Sequence, residues 1–478
     1  MITNLENIHE MSKILSENNH VSGNIITMFV KFGISQSLRR LGMEKQQGVS
    51  AVHLIISLCL FRINGESVFS MYCKRFCNLL PLGKNCFYRL LNRCTMDWRT
   101  LLLRMSLRFF AILRKENAEE SDQPRCYIID DTTLEKTGPS IEGVSRVYNH
   151  VVHKYVLGFK ALILAYFDGR STIPVDFSLH REKGKNRRYG LSDEERHGQY
   201  RKKRREGNAD SIRFAELDQK KASVAISMMR RAWDFGLHAA YALCDSWFTS
   251  EEFIRQVREI GDGSVHFLGM AKMNRQKYRV RGMNRNAYEL ISCYEREAKR
   301  IPKYKSRYFQ LNGLMGDEYV RIFFIKYGMS HNWNIIITTD TSMKVEKCFE
   351  TYQIRWNIEV LNKECKQYLG LGGYLGRDFD GQIADCTLCF MTYTIMALEK
   401  RLNDYETLGG IFRSQREDLL ALTLWRRILE IVRRILCALA ELTGVTPDDI
   451  IEKIVCDEKA LGKYMLMIEA LEKLDKAA

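Results

Sequence analysis

Two short apolar runs in the middle of the chain each end in aspartate, and these runs restrict the fold more than any other feature. Residues 125–131 read Arg-Cys-Tyr-Ile-Ile-Asp-Asp, and residues 239–245 end in Leu-Cys-Asp. Both have the length and composition of buried β-strands. Further strand candidates and one helix candidate surround them, namely strands at 155–167, 172–177 and 265–272 and a helix at 217–233. Three strands, a helix, a strand, a helix and a strand predict an α/β core with a mixed sheet.

The apolar pattern also predicts how the chain is divided. The β-rich character of the stretch before residue 343 and the helical character of both ends suggest an interrupted core with helical flanks. The expected regions are a helical, DNA-binding N-terminal domain at 1–120, the first part of the core at 121–272, a β-rich insertion at 273–342, the second part of the core at 343–400, and a helical C-terminal region at 401–478 that is a candidate for dimerisation.

Charge and composition narrow the class of protein. Lys and Arg number 73 against 58 Asp and Glu, which gives a net charge of +15 and favours a polyanionic partner such as nucleic acid. With 46% hydrophobic and 27% charged residues, the chain is expected to be globular. No apolar stretch is long enough to cross a bilayer, so no membrane partner is expected.

The start of the chain and its cysteines bear on where the protein acts. The first residues lack the basic-then-apolar pattern of a signal peptide. Cys73 and Cys77, like Cys386 and Cys389, have no second pair of matching spacing, so buried helical cysteines are expected rather than a zinc or redox site. A reduced, cytoplasmic protein is therefore expected.

Carboxylates occupy the ends of two predicted strands. Asp130 and Asp131 close the first, Asp245 closes the second, and Glu359 follows on a long helix predicted at 345–370. Groups at the carboxyl ends of strands in an α/β sheet converge on one edge. Three carboxylates there can hold two Mg²⁺ ions and support in-line phosphoryl displacement. Taken singly, each aspartate could equally be an ordinary turn residue.

The helix around Glu359 carries a polar stripe. At 100° per residue, Tyr352, Arg355, Glu359 and Lys366 fall on one face. An Arg–Glu pair four residues apart is common on surface helices, but that alone does not account for four aligned polar residues.

The spacing Tyr-x2-Arg-x3-Glu-x6-Lys resembles the Tyr–Arg–Glu–Lys signature of cut-and-paste DDE transposases of bacterial insertion sequences, in particular insertion-sequence family four. Asp130-Asp131-Thr132 is similar to the first-acid motif Asp-x-Thr of that family. The sequence around Asp245 is similar to its second-acid motif. The resemblance covers residues 125–375.

This resemblance implies a ribonuclease-H-like core that holds two Mg²⁺ ions, or Mn²⁺ in their place, at Asp130, Asp245 and Glu359. It implies a homodimer that binds two transposon ends as double-stranded DNA, in the bacterial cytoplasm near the nucleoid. Cleavage would leave a 3′-OH that forms a hairpin and later attacks target DNA. Tyr352, Arg355 and Lys366 would bind phosphates.

Two assignments stay open at this stage. The register Asp131-Thr132-Thr133 also fits Asp-x-Thr, although Asp130 is preferred because it closes the apolar run and the next residue points to the opposite face. Trp333 lies where related transposases keep a tryptophan that stacks on a displaced base. It could instead pack within the insertion.

A basic segment precedes the predicted helix at 217–233. It includes five consecutive cations that no acidic residue interrupts, namely Arg201, Lys202, Lys203, Arg204 and Arg205. Such a run is predicted to contact DNA phosphates, the alternative being a solvated loop.

Other functions are compatible with parts of this pattern. A ribonuclease-H-like nuclease that only hydrolyses nucleic acid would need the three acids but not the insertion or the polar stripe. A domesticated, non-catalytic DNA-binding protein would be expected to have lost an acid, and all three are present.

Overall fold

The computed structural model describes residues 28–44, 48–63, 65, 67–71, 83–116, 118, 121–184, 189–328, 330, 332–403 and 410–411. These residues belong to one compact unit, Met28–Met71 with Leu82–Arg413. A second unit, Met1–Thr27 with Tyr72–Pro81 and Ser414–Ala478, lies outside the described residues. Cys73, Cys77 and nearly all of the predicted C-terminal region at 401–478 fall there.

The described strands form one mixed sheet. In sheet order it runs β2-β3-β1-β5-β6-β12-β11-β10-β7-β8, with β4 added on β3 and β9 on β10. The strands are β1 Cys126–Glu135, β2 Ser145–Asn149, β3 Lys154–Phe167, β4 Thr172–His180, β5 Tyr241–Cys244, β6 His266–Ala271, β7 Lys277–Val280, β8 Met283–Asn286, β9 Lys299–Ile301, β10 Ser306–Met315, β11 Glu318–Tyr327 and β12 Asn334–Thr338.

Helices flank this sheet. Those before β1 are α1 Ile34–Arg40, α2 Ala51–Ile63, α3 Val68–Met71, α4 Asn85–Leu91 and α5 Trp98–Lys115. Those between β4 and β9 are α6 Asp193–His197, α7 Ala209–Ala215, α8 Lys221–Asp234, α9 Glu251–Arg258 and α10 Ala287–Tyr294. The last are α11 Val345–Gln353, α12 Asn357–Leu369 and α13 Phe379–Leu402. None of the described helices combines the length and apolar character needed to cross a membrane.

The predicted α/β class with a mixed sheet is confirmed, and the sheet is compatible with a ribonuclease-H-like core. Strand β3 pairs antiparallel with both β4 and β1, β5 pairs parallel with β1, and β6 pairs parallel with β5. Strand β2 was not predicted from the sequence. The strands within 273–342 continue the same sheet, because β12 pairs with β6. The limits of an insertion and the DNA-binding role of the N-terminal helices stay predictions.

One buried ionic cluster fastens helices to the sheet. The Asp176 side chain on β4 is 1% exposed, and it accepts a hydrogen bond from Arg99 Nε at 3.0 Å and another from Arg231 Nη2 at 2.7 Å. Arg213 Nη1 lies 3.6 Å from the same carboxylate. Burial alone would raise the pKa of Asp176, but the three guanidinium groups outweigh it and lower the pKa to about 2.

The long helix α13 forms the centre of the helical layer. Every residue from Phe379 to Glu399 is buried. The helix contacts α5, α2, α4, α12 and strand β4. Cys386 and Cys389 are buried and free within it, as expected for structural cysteines.

Candidate active site

The register of β1 and β5 brings Asp130 and Asp245 to the same level of the sheet. Ile129 is paired with Cys244, the last residue of β5. Asp130 therefore follows one member of this pair, and Asp245 follows the other. The prediction that β1 ends at these aspartates is wrong. Antiparallel pairing with β3 continues to Glu135, while parallel pairing with β5 stops at Ile129. Beyond Ile129, β5 therefore no longer covers this side of β1.

Glu359 reaches the site from the first turn of α12. The continuous helix predicted at 345–370 is interrupted, because α11 ends at Gln353 and a 3₁₀ turn, Ile354–Trp356, precedes α12. Arg355 lies in that turn. Helix α12 ends at Gly370, whose φ of 63° is the left-handed conformation that favours glycine.

Arg355 links two of the three predicted acids. Its Nη2 donates to Glu359 Oε1 at 2.7 Å, and its Nη1 lies 3.9 Å from Asp130 Oδ2. The guanidinium carbon is 5.8 Å from the centre of the Tyr352 ring. Because the Arg355 side chain is only 14% exposed, these interactions are weakly screened by water.

The electrostatics of Asp130 reflect crowding of negative charge. Burial raises the pKa of Asp130 from 3.8 to about 7. The Asp131 and Asp245 carboxylates contribute further to this rise in pKa, against the lowering effects of the Asp131 backbone N–H and Arg355. Burial likewise raises the pKa of Tyr352 to about 12. At neutral pH, Asp130 is therefore close to its pKa, and it can accept a proton or a cation.

Asp131 has different partners from its neighbour. Lys160 Nζ lies 3.3 Å from Asp131 Oδ1, and Lys221 Nζ donates to the other carboxylate oxygen. Although burial acts to raise the pKa of Asp131, the two ammonium groups lower it overall. Asp131 is therefore neutralised by lysines, whereas Asp130 faces the other acids. Sequence reasoning missed both lysines, although Lys160 could have been noticed as an isolated cation in an apolar strand.

Lys366 lies beside β1, next to the two aspartates. Its Nζ donates to Thr132 Oγ1 at 2.6 Å. Burial lowers the pKa of Lys366. Asp130, Thr132, Glu359 and Lys366 all line an open cleft of about 550 Å³. This cleft is wide, and every residue that lines it has a polar or charged side chain, as suits an extended charged substrate.

Trp333 has its contacts within the β-rich segment. Its ring lies edge-on to Phe309, with 5.2 Å between ring centres. Lys326 Nζ is 5.8 Å from the ring centre. The tryptophan is half-buried, as the packing alternative expected. A stacking role for it stays a prediction.

The basic run at 201–205 differs from the expectation of unbalanced charge, which is wrong for two of its residues. Lys202 Nζ lies 2.9 Å from Asp378 Oδ2 and 2.7 Å from Asp380 Oδ2. Arg204 Nη2 lies 2.7 Å from Glu142 Oε2 and 3.0 Å from Asp380 Oδ1. These acids are distant in sequence, so the run itself gave no sign of them. The segment is fastened to the start of α13.

The remaining cations of the run point outward. Arg201, Lys203 and Arg205 are exposed, in alternation with the two paired residues. This alternation is the pattern of an extended segment with one face against the protein. Within the run at 201–205, these three residues remain candidates for phosphate contact.

The donor set fits a hard divalent cation by its chemistry. Asp130, Asp245 and Glu359 supply the carboxylate oxygens that Mg²⁺ prefers. Within the described part of the chain, no three His, Cys, Asp or Glu side chains are gathered closely enough to form a ready-made metal cage. Arg355 meanwhile supplies positive charge to two of the carboxylates. The three carboxylates therefore suit Mg²⁺ by their chemistry, but they would have to move closer together to bind it.

Two family models match parts of the chain. Residues 81–280, which contain Asp130 and Asp245, match the family model described as DDE superfamily endonuclease. Residues 218–395, which contain Asp245 and Glu359, match the model described as Transposase DDE domain. No curated protein matches the chain. The two family matches support a DDE transposase that acts on DNA, of a class that typically uses divalent metal ions.

Proposed function

We propose that this protein is the transposase of a bacterial insertion sequence of family four, which cuts both ends of its element and joins them to target DNA. The observation that supports the proposal is the placement of three acids on separate segments around Arg355 and the β1–β5 pair. Asp130 and Asp245 are brought level by the β1–β5 register, and Arg355 joins Asp130 to Glu359. Asp130 and Glu359 border a cleft open enough for a DNA strand.

Asp130, Asp245 and Glu359 would together hold two Mg²⁺ ions. When bound, such ions stabilise the charge on the attacking and leaving oxygens of an in-line phosphoryl displacement. In the protein without DNA, Arg355 balances part of the negative charge on these acids. A DNA phosphate would draw the guanidinium toward itself, since Arg binds phosphate in a bidentate manner. Glu359 would then be released for the metal.

Tyr352 and Lys366 would position the strand. The Tyr352 hydroxyl is expected to stay protonated, because burial raises its pKa, and a protonated phenol can donate to a phosphate oxygen. Lys366 is held by Thr132 of β1, where its charge would meet the phosphate next to the cleaved bond. The attacking group in the later steps would be the DNA 3′-OH, so no nucleophilic side chain is required.

The substrate would be double-stranded DNA bearing the terminal repeats of the element, held by a homodimer so that two ends are processed together. Hydrolysis of one strand would free a 3′-OH, and its attack on the opposite strand would form a hairpin and release the flanking DNA. Water would then open the hairpin and restore the 3′-OH, which joins to target DNA. The net charge of +15 favours such a partner.

Purified protein incubated with Mg²⁺ and linear DNA carrying the element's own terminal repeats tests this proposal. Hairpinned or joined ends are expected with the native protein and should be absent with Glu359→Gln. Nicks without hairpins or joining would identify a nuclease that only hydrolyses DNA. A gel shift without cleavage would identify a non-catalytic DNA-binding protein.

A further inference from the structure

Asn362 is a buried polar residue on the side of α12 that borders the candidate site. Five residues of this helix are buried, namely Ile358, Leu361, Asn362, Cys365 and Leu369. Asn362 is the only one of them with an amide side chain, and it is 7% exposed. At 100° per residue it lies about 60° from Glu359 and about 40° from Lys366 around the helix axis. It therefore joins the apolar stripe of α12 to the polar stripe.

The amide of Asn362 has no hydrogen-bond partner in the part of the chain that the structure describes. Its Oδ1 is buried without a donor, and its Nδ2 donates to no described residue. A buried polar atom without a partner lowers stability, because its contact with water is lost and not replaced. Asparagine is also a weaker helix former than leucine. Since neither packing nor helix propensity favours asparagine at this position, we expect the side chain to serve a ligand.

The surroundings of Asn362 suit an anionic ligand. Asn362 lines the cleft together with Glu359, Lys363 and Lys366. The two ammonium groups attract negative charge to this side of α12. With Oδ1 buried, Nδ2 is the end of the amide left to meet a substrate, and an N–H group donates to an anion rather than binding a metal ion. A DNA strand that runs from Glu359 toward Lys366 would pass Asn362, because about one helical turn separates each of these residues from the next.

We propose that Asn362 binds DNA, with its Nδ2 donating a hydrogen bond to one phosphate oxygen of the strand in the cleft. This inference rests on the proposed function, and it adds a neutral donor to the charged contacts of Arg355 and Lys366. An ammonium group attracts any nearby phosphate, whereas an amide N–H holds one oxygen in one direction. Asn362 would thus set where along α12 the strand lies. The competing interpretation is a structural amide that supports the packing of α12.

Asn362→Leu separates these two interpretations, because it removes the amide and keeps a side chain of similar size. Without DNA, the urea concentration at the midpoint of unfolding should rise, since an apolar and better helix-forming residue replaces an amide without a partner. In EDTA, binding to a linear duplex that ends in the element's terminal repeats should weaken by roughly 10- to 100-fold, the usual contribution of one hydrogen bond to a charged group. A structural amide predicts the opposite pair of results, namely a lower midpoint and native affinity.

Single methylphosphonates in the duplex locate the phosphate. Each one replaces a charged phosphate near the cleaved bond by a neutral group. At one position, the native protein and Asn362→Leu should bind the duplex with equal affinity, because the acceptor is then missing as well as the donor. At the other positions, the difference in affinity between the two proteins should persist.

Gln367 offers a matched control. It is a second amide of α12 that lines the cleft, but it is exposed. Asn362→Asp keeps the shape of the side chain and replaces the donor by a negative charge, so it should weaken binding of the duplex more than Asn362→Leu does. Gln367→Glu adds the same charge to the same cleft, and its smaller loss of affinity measures the general repulsion of DNA.

Several outcomes would overturn the inference. Native affinity of Asn362→Leu for the duplex would do so, as would a loss with Asn362→Asp no larger than that with Gln367→Glu. A lower unfolding midpoint of Asn362→Leu would assign the amide to packing. A difference between the native protein and Asn362→Leu that persists with every methylphosphonate would show that no phosphate accepts from Asn362.

The proposed function fails by a different result. Equal binding of the native protein to the terminal repeats and to unrelated DNA would contradict it, and this inference with it. The cleavage assay with Glu359→Gln also decides that function separately, because the measurements on Asn362 need no metal.

Discussion

The five cations at 201–205 divide into an inner and an outer set, and the two sets should respond oppositely to substitution. The outer variant replaces Arg201, Lys203 and Arg205 by Gln, because all three are exposed. The inner variant replaces Arg204 alone by Gln. Its side chain is 6% exposed and lies against acids that are themselves buried.

The outer variant should bind DNA with a weaker dependence on salt. Each phosphate that a protein cation neutralises contributes about −0.9 to the slope of log K against log salt concentration. Three such contacts amount to about 2.7 units of slope, which is the largest change expected. Affinity should fall about equally for every sequence, because phosphate contacts carry no sequence information. The free energy of unfolding should stay within about 0.5 kcal/mol of the native value.

The inner variant should lose stability, whereas the salt dependence of its DNA binding should stay native. Gln at position 204 leaves the buried Glu142 without the guanidinium that pairs with it, and leaves Asp380 with Lys202 alone. Breaking a buried pair by removing one partner costs about 3–5 kcal/mol of stability. The salt slope should not change, since Arg204 faces the protein. Lys202 is kept because it shares Asp380 with Arg204, and a double variant would not be additive.

Urea unfolding and fluorescence anisotropy over a range of salt concentrations measure the two quantities on the same proteins. A native salt slope in the outer variant would show that the segment does not contact DNA. A flattened slope in the inner variant, with native stability, would show that Arg204 leaves its acids to bind phosphate. Either result would refute the division into two sets.

Six other substitutions test the site and its support. Glu359→Gln should retain DNA-end binding, and its cleavage activity on denaturing gels should fall by orders of magnitude. Asp131→Ala should keep more cleavage activity than Asp130→Ala. The reverse order would show that the catalytic face of β1 is the one that carries Asp131. Asp130→Asn should stabilise the metal-free protein increasingly as pH rises, because a carboxyl whose pKa is raised to about 7 loses its stabilising proton through that range. The gain in urea unfolding between about pH 4 and about pH 8 should be on the order of 4 kcal/mol, and a gain independent of pH would contradict it. Arg355→Gln should increase Mn²⁺ affinity of the DNA-free protein in titrations followed by electron paramagnetic resonance, since it removes a cation from the acids; unchanged affinity would show that Arg355 does not compete with metal. Asp176→Ala should destabilise the protein by about 3–5 kcal/mol, because Arg231 loses its buried counter-charge while Arg99 and Arg213 are left to share Glu216. A native unfolding midpoint would rule out that role for Asp176.

Local pattern was enough to predict the sheet edge where the acids meet. The runs before Asp130 and Asp245 are short and apolar, and parallel pairing of two such strands brings the residues after them together. The same pattern could not show how far β1 extends. Its continuation to Glu135 depends on hydrogen bonds from β3, which is formed by residues 154–167.

Pairings between distant segments account for the other differences. Lys202 and Arg204 look unbalanced in sequence because Glu142, Asp378 and Asp380 belong to other parts of the chain.

The break before α12 was also hidden, since a 3₁₀ turn spaces apolar residues almost as an α-helix does.

The burial of α13 has a consequence for biosynthesis. The helix comes after all three acids in the chain, yet it supplies the surface on which α2, α4, α5, α12 and β4 pack. A nascent chain that has already emerged through Glu359 therefore still exposes apolar faces on those elements until residues 379–402 leave the ribosome. Domains fold as units, and incomplete ones expose surfaces that proteases and chaperones recognise. A decayed gene copy that terminates before α13 would thus encode all three acids and yield a product that is degraded, rather than one that competes with the intact protein.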